Sequence, residues 1–211
     1  MGNLLTALLL AVWAGLCALD QFGPHLGFRK PLLASVGVGL ILGDMQTAII
    51  IGATMELMWL GVNNIGAYVP PDVISGTIVG ASLGILSGRD TGTAISTAIA
   101  VGVPTALLVQ QINLLVMTTN ISLVHAADRA AEEFNLKRIT MLHWTGGLMF
   151  FLSRAIPVFI ACFAGSAVID TILAAIPAQV LTGFTVASKA IPAVGLAMLL
   201  TMMMKKNMWI F

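Results

Sequence analysis

Apolar residues in this chain come in long continuous runs broken by single charges. Charge-free runs occupy residues 1–19, 31–43, 45–55, 57–71, 73–88, 91–127, 139–153, 155–169, 171–188 and 190–204. Strands of a membrane barrel would alternate apolar and polar residues, so unbroken runs of this kind predict helices. A helix needs about 20 residues to cross a hydrocarbon core of about 30 Å. The run at 31–43 is too short, and Gly37, Gly39 and Gly43 punctuate it. Pro70–Pro71 closes another run, and Gly84 and Gly88 interrupt a third. Backbone broken at membrane depth must be buried in protein or line a polar cavity. The pattern therefore predicts several transmembrane helices plus broken or re-entrant helical hairpins. The hinges of those hairpins, residues 39–44 and 84–90, are expected to be buried against protein.

Composition settles the solvent. Hydrophobic residues make up 58% of the chain and charged residues 9%, with a mean hydropathy of +0.99, whereas a soluble domain carries about 25% charged residues. The expectation is an all-α, polytopic integral membrane protein forming a single membrane-embedded domain over residues 1–211. No Lys or Arg precedes the first apolar run, so it reads as a retained helix rather than a signal peptide. Cys17 and Cys162 lie in apolar surroundings without a CxxC pattern, which makes them packing residues. No metal or other cofactor is expected. A net charge of +1 without basic clusters interleaved with aromatics gives no reason to expect nucleic acid as a partner.

Two stretches echo each other. "GLILGDMQTAI" (39–49) matches "GILSGRDTGTAI" (84–95) with one inserted residue, and both put an acidic residue at a hinge. This is a possible weak internal repeat, which would make two related hairpins. The aqueous stretch is "HAADRAAEEFNLKR" (125–138), read as a solvated connecting helix. Arg129, Glu133 and Lys137 would pair along one stripe at i, i+4 spacing, with Ala126, Ala130 and Phe134 on another. His125 has no orienting partner that the sequence can name, and His143 beside Trp144 suits an interfacial anchor.

The candidate chemistry sits in "LGDMQTAIIIGATMELMWLGVNN" (42–64), which reads as a membrane helix. Glu56 is the only formal charge between Met45 and Val62, and charged residues at such depth cost about 2.5–3.5 kcal/mol on insertion scales. Helical spacing puts Gly52, Glu56, Trp59 and Asn63 on one face. A carboxylate, an indole and an amide suit a neutral polyol: hydroxyls need acceptors and donors, and a pyranose C–H face packs on an aromatic ring. Asn64 and Asp72 follow at similar depth. Asp20 and Gln21, after the first helix, could offer a second acidic face, although solvation at a helix end is the cheaper explanation. Two bland readings stand beside this one, Trp59 as an interfacial belt residue and Glu56 as a protonated group satisfied by a neighbouring helix. The candidate substrate-binding set is Glu56, Trp59, Asn63, Asn64, Asp72, Asp20 and Gln21. A proton- or sodium-coupled secondary transporter with Glu56 as the ion site is the alternative function. No HExxH or GxSxG motif supports a hydrolase.

"LDQF" (19–22), "RKPLLASVGVGLILGDMQTAIIIGATMELMWLGVNNIGAYVPPD" (29–72), "HAADRAAEE" (125–133) and "AIPAVGLAMLL" (190–200) resemble the IIC membrane subunit of the mannose–fructose–sorbose family of the bacterial sugar phosphotransferase system. The resemblance runs over nearly the whole chain. It implies a multi-pass permease of the bacterial cytoplasmic membrane that binds a hexose or amino sugar. It implies a IID membrane subunit as partner, a trimer of IIC–IID pairs, and elevator-type movement. Phosphoryl transfer would belong to separate cytoplasmic IIA and IIB (or IIAB) components. It associates Glu56, in "GATME", with sugar binding. Family members continue for another apolar segment or two beyond "MMMKKNMWIF", which implies a chain shortened at its C-terminus. Arg29–Lys30, the 129–138 segment and Lys205–Lys206 should tend to the cytoplasm.

Overall fold

The computed structural model describes residues 3–62, 68–88, 90–175 and 177–204. Among them the regular elements are seven α-helices: α1 (Asn3–Phe22), α2 (Pro31–Leu42), α3 (Met45–Trp59), α4 (Val73–Leu86), α5 (Thr91–Glu132), α6 (Leu136–Ala175) and α7 (Ala178–Met203). α2, α3 and α4 have 12, 15 and 14 residues, and at about 1.5 Å per residue they fall short of a bilayer. Stretches long and apolar enough to cross one lie at Leu4–Phe22, Thr91–Glu132, Leu136–Ala167 and Thr182–Met203. The helix expected through residues 42–64 is corrected accordingly. It is a hairpin arm, α3, that starts after Asp44 and ends at Trp59.

Both hairpins turn by the same device. Gly43 takes φ +81° and donates its N–H to the Gly39 carbonyl, and the Asp44 carboxylate then accepts the Thr47 N–H at 3.1 Å to cap α3. Between α4 and α5, Gly88 takes φ +60° and Asp90 accepts the Thr93 N–H at 3.1 Å and its hydroxyl at 2.7 Å. A left-handed glycine followed by an aspartate cap is the physical content of the echo between residues 39–49 and 84–95. The hinge expectation is met at Gly39 and Gly84, which are buried, and corrected at the tips, where Gly43, Gly88 and Asp90 are exposed. At the tips the Gly43 and Gly88 N–H groups are satisfied within the turn and the aspartates cap the following helix, which lessens the need for protein cover.

Between α4 and α5 the backbones nearly touch. A Cβ added at Gly76, Gly80 or Gly84 would meet the carbonyl oxygen of Gly102, Ala98 or Ala94 at 2.6, 2.5 and 2.7 Å. Small residues every fourth position permit this approach, the usual way membrane helices associate without a hydrophobic driving force. Every residue of α4 from Ile74 to Gly84 is buried, enclosed by α1, α2, α3, α5 and α6, as suits a helix apolar on all sides. α1 packs along α6, and α7 lies against α3 and α5.

The 125–138 stretch is not a connecting helix. α5 runs through to Glu132, and α6 starts at Leu136 after a tight turn in which Phe134 takes φ +51° and the Asn135 N–H reaches the Ala130 carbonyl at 2.8 Å. Arg129 and Lys137 therefore sit on different helices, and Glu133 pairs with Arg138 at 3.5 Å instead. Phe134 is 91% exposed, so it forms no stripe with Ala126 and buried Ala130. Lys205–Lys206 lie outside the described residues.

Candidate functional site

Glu56 projects from α3 toward the start of α2. Its Oε2 accepts the N–H of Leu32 at 3.1 Å, and its Oε1 lies 3.6 Å from Lys30 Nζ. Leu32 is in the first turn of α2, where N–H groups have no partner within the helix and the dipole favours an anion. The carboxylate thus caps a helix other than its own, and at 23% side-chain exposure it keeps further lone pairs for another donor. Gly52, one turn earlier, faces Ser35 of α2 so closely that a Cβ would overlap it, which draws this face of α3 against α2.

Asp72 precedes α4 and caps it, its Oδ1 accepting the Ser75 N–H at 2.8 Å. Its Oδ2 accepts from Asn113 Nδ2 of α5 and from Arg154 Nε of α6, each at 2.7 Å. The Asp72 N–H donates to the Ala106 carbonyl at 3.0 Å. Arg154 Nη2 continues to the Gln21 side-chain oxygen at 2.8 Å, at the end of α1, and the guanidinium stands 5.6 Å from the Phe22 ring centroid. The network ties α1, α4, α5 and α6 together at one depth.

Glu56 and this network line one cavity of about 580 Å³. Its wall includes Gln21, Lys30, Glu56, Trp59, Asp72, Asn113 and Arg154. Two side-chain atoms of wall residues, Trp59 Nε1 and Arg154 Nη1, are fully buried without a partner among the described residues. A second cavity of about 810 Å³ between α1, α5 and α6 is apolar apart from Asn120 and His143.

Four of the candidate residues therefore meet: Gln21, Glu56, Trp59 and Asp72. Asn63 and Asn64 lie outside the described residues. Asp20 is neither solvated nor part of the cavity wall. It is 3% exposed, and its carboxylate accepts the backbone N–H groups of Leu26, Gly27 and Arg29, folding the α1–α2 loop over itself. Arg154 and Asn113 were missed by sequence reasoning. Arg154 is the sole charge between Arg138 and Asp170, the same signal that singled out Glu56. For Asn113 the sequence holds no comparable signal.

Residues 4–211 match the family model described as "PTS system sorbose-specific iic component". The chain is 38% identical over 186 residues to the mannose-specific EIIC component of Escherichia coli K12, covering 88% of this chain and 67% of that one. It is 36% identical over 209 residues to the sorbose-specific EIIC component of Lacticaseibacillus casei, covering 97% of this chain and 73% of the relative. It also superimposes on a chain from the cryo-EM structure of the mannose transporter ManYZ with microcin E492, with a TM-score of 0.68 and 34% identity, covering 96% of this chain and 81% of the other.

Proposed function

The chain belongs to the IIC family of the mannose–fructose–sorbose phosphotransferase system, and on that premise we propose that its cavity is where a hexose or amino sugar binds on its way across the bacterial membrane. The observation that carries this reading is the cavity itself, in which Glu56, Trp59 and Gln21 combine an acceptor, an aromatic face and an amide. Two ion pairs, Lys30 with Glu56 and Arg154 with Asp72, lie in the wall beside Arg29. A pyranose supplies the rest: hydroxyl hydrogens for the free lone pairs of Glu56, and a C–H face for the indole.

In this proposal the chain pairs with a IID subunit, a reading supported by its likeness to a chain of the ManYZ complex. The pairs assemble as trimers and carry the sugar by elevator-type movement, and IIA and IIB components phosphorylate it on the cytoplasmic side. Asp72 enters as a structural member of the wall, because its side chain is 2% exposed and already accepts three hydrogen bonds.

The test is Glu56→Gln in membranes that also contain the partner subunit. Glutamine can still accept from Leu32 N–H, so the complex should assemble, while sugar affinity should fall about ten- to a hundredfold, the worth of a hydrogen bond to a charged acceptor. Wild-type affinity at normal yield would defeat the role, and normal affinity with poor yield would reduce Glu56 to a helix cap.

A further inference from the structure

We propose that Asp20 is a positioning residue of the sugar site, acting on the guest through Glu56. This rests on the reading of the cavity as a sugar site and gives a buried carboxylate outside its wall a part in binding.

The path runs through one loop. Asp20, 3% exposed in the last turn of α1, accepts the N–H groups of Leu26, Gly27 and Arg29 at 2.5, 3.0 and 3.4 Å. Its own carbonyl takes the His25 N–H at 3.2 Å, and the Gly27 carbonyl takes the Lys30 N–H at 2.9 Å. His25 is held at φ +55°, which is uncommon for a residue with a Cβ, so the path of the loop depends on what grips it. The chain then passes directly to the groups that hold Glu56. Lys30 Nζ lies 3.6 Å from Oε1, and the Leu32 N–H donates to Oε2 at 3.1 Å. Among the described residues, the two partners of the Glu56 carboxylate thus stand one and three positions beyond the last amide that Asp20 holds.

A carboxylate in this place does nothing for its own helix. The C-terminal end of α1 carries the negative end of the helix dipole, where an anion is disfavoured. What Asp20 stabilises is the loop, and what the loop delivers is the pair of donors on Glu56. A separate contact docks α2 on α1: Trp13 Nε1 donates to the Ala34 carbonyl at 2.8 Å, and Phe28 packs edge-on against the Trp13 ring. That contact does not pass through Asp20. Loosening the loop should therefore displace the partners of Glu56 while α2 stays in place.

The experiment is a double-mutant cycle on equilibrium sugar binding to the purified complex with its partner subunit. The four proteins are wild type, Asp20→Asn, Glu56→Gln and the double variant, and the probes are mannose, fructose, sorbose and glucosamine. Asparagine keeps one acceptor oxygen and turns the other into a donor, which frees at least one loop amide. Alone, Asp20→Asn should lower affinity about three- to tenfold, the low end of coupling within one hydrogen-bonded network. Added to Glu56→Gln, the same substitution should cost about twofold or less. Equal fold losses in the two backgrounds overturn the proposal. So does wild-type affinity in the assembled Asp20→Asn complex, because a group that only holds the fold lowers the yield and leaves the affinity of what assembles unchanged. If Asp20→Asn does not assemble, Asp20→Glu, which keeps both acceptors on a longer arm, carries the same cycle, and collapse of both overturns the proposal by making the group structural. A wild-type complex that binds none of the probes refutes the sugar reading itself, which is a different result from a wild type that binds and an Asp20→Asn complex that binds as well.

Discussion

Asp72 and Arg154 stand 82 residues apart in sequence and meet at 2.7 Å, with side chains 2% and 3% exposed. Neither charge reaches water, so each depends on the other. Removing one partner of a buried pair typically costs about 3–5 kcal/mol, because the remaining charge is left uncompensated. Asp72→Ala also removes the cap on α4, worth about 1 kcal/mol. Thermal unfolding in detergent should rank wild type above Asp72→Asn, which keeps a capping oxygen, and Asp72→Asn above Asp72→Ala. Asp72→Asn/Arg154→Gln should recover part of the loss. Equal stability of Asp72→Asn and the double variant would show that the two charges are not coupled.

The close approach of α4 and α5 predicts opposite effects for one substitution at two glycines. A Cβ at Gly80 meets the Ala98 carbonyl oxygen at 2.5 Å, whereas one at Gly183 meets nothing within 4 Å. Backbone cannot step aside as a side chain can, so Gly80→Ala should destabilise by about 1–3 kcal/mol. Gly183→Ala, inside α7, should stabilise by up to about 1 kcal/mol through helix propensity. Chemical unfolding of the two variants checks the contrast, and a similar shift for both would contradict it.

The two hairpin turns should respond in parallel. Gly43→Ala and Gly88→Ala force a Cβ into left-handed backbone at φ +81° and +60°, a conformation costing about 1–2 kcal/mol, and asparagine should be tolerated better at both. Asp44→Ala and Asp90→Ala should each lose about 0.5–2 kcal/mol with their caps. Strong effects at one turn and none at the other would mean that the shared chemistry is incidental.

Cys17 and Cys162 are 0% and 2% exposed. Neither should react with a maleimide in native membranes, and both should label after denaturation. Modification of the native protein, read by mass spectrometry, would contradict this packing.

The unbroken apolar runs made the helices legible, and a glycine with an aspartate one or two positions later marks both hairpin turns in the sequence itself. Glu56 stood out because a charge in an apolar run has so few explanations. Arg154 carried the same mark, yet its meaning required Asp72, and a partner 82 residues away cannot be read from spacing along one helix. Asp20 was misjudged for a related reason. A helix end invites solvation, but the backbone amides that bury this carboxylate come from a loop whose path depends on it. The reach of α3 was overestimated because Leu60, Gly61 and Val62 continue the apolar pattern past the last turn at Trp59.

α5 is one continuous helix of 42 residues that serves two structural roles. Its first part pairs with α4 as a half-depth hairpin arm, an embrace that ends near Gly102 and Ala106. The residues beyond Pro104 continue in the same helix for at least the roughly 20 positions that span a bilayer. No loop separates the two, and Pro104 is the natural fulcrum, since it cannot donate to the Ala100 carbonyl. The hairpin arm and the long apolar stretch thus share one backbone, with Pro104 between them. The tip at Gly88 and Asp90 stands about 20 Å from that fulcrum, so a swing of about 10° displaces it by about 3 Å. Because α5 is continuous through this point, any change of its direction at Pro104 would be felt at the hairpin tip.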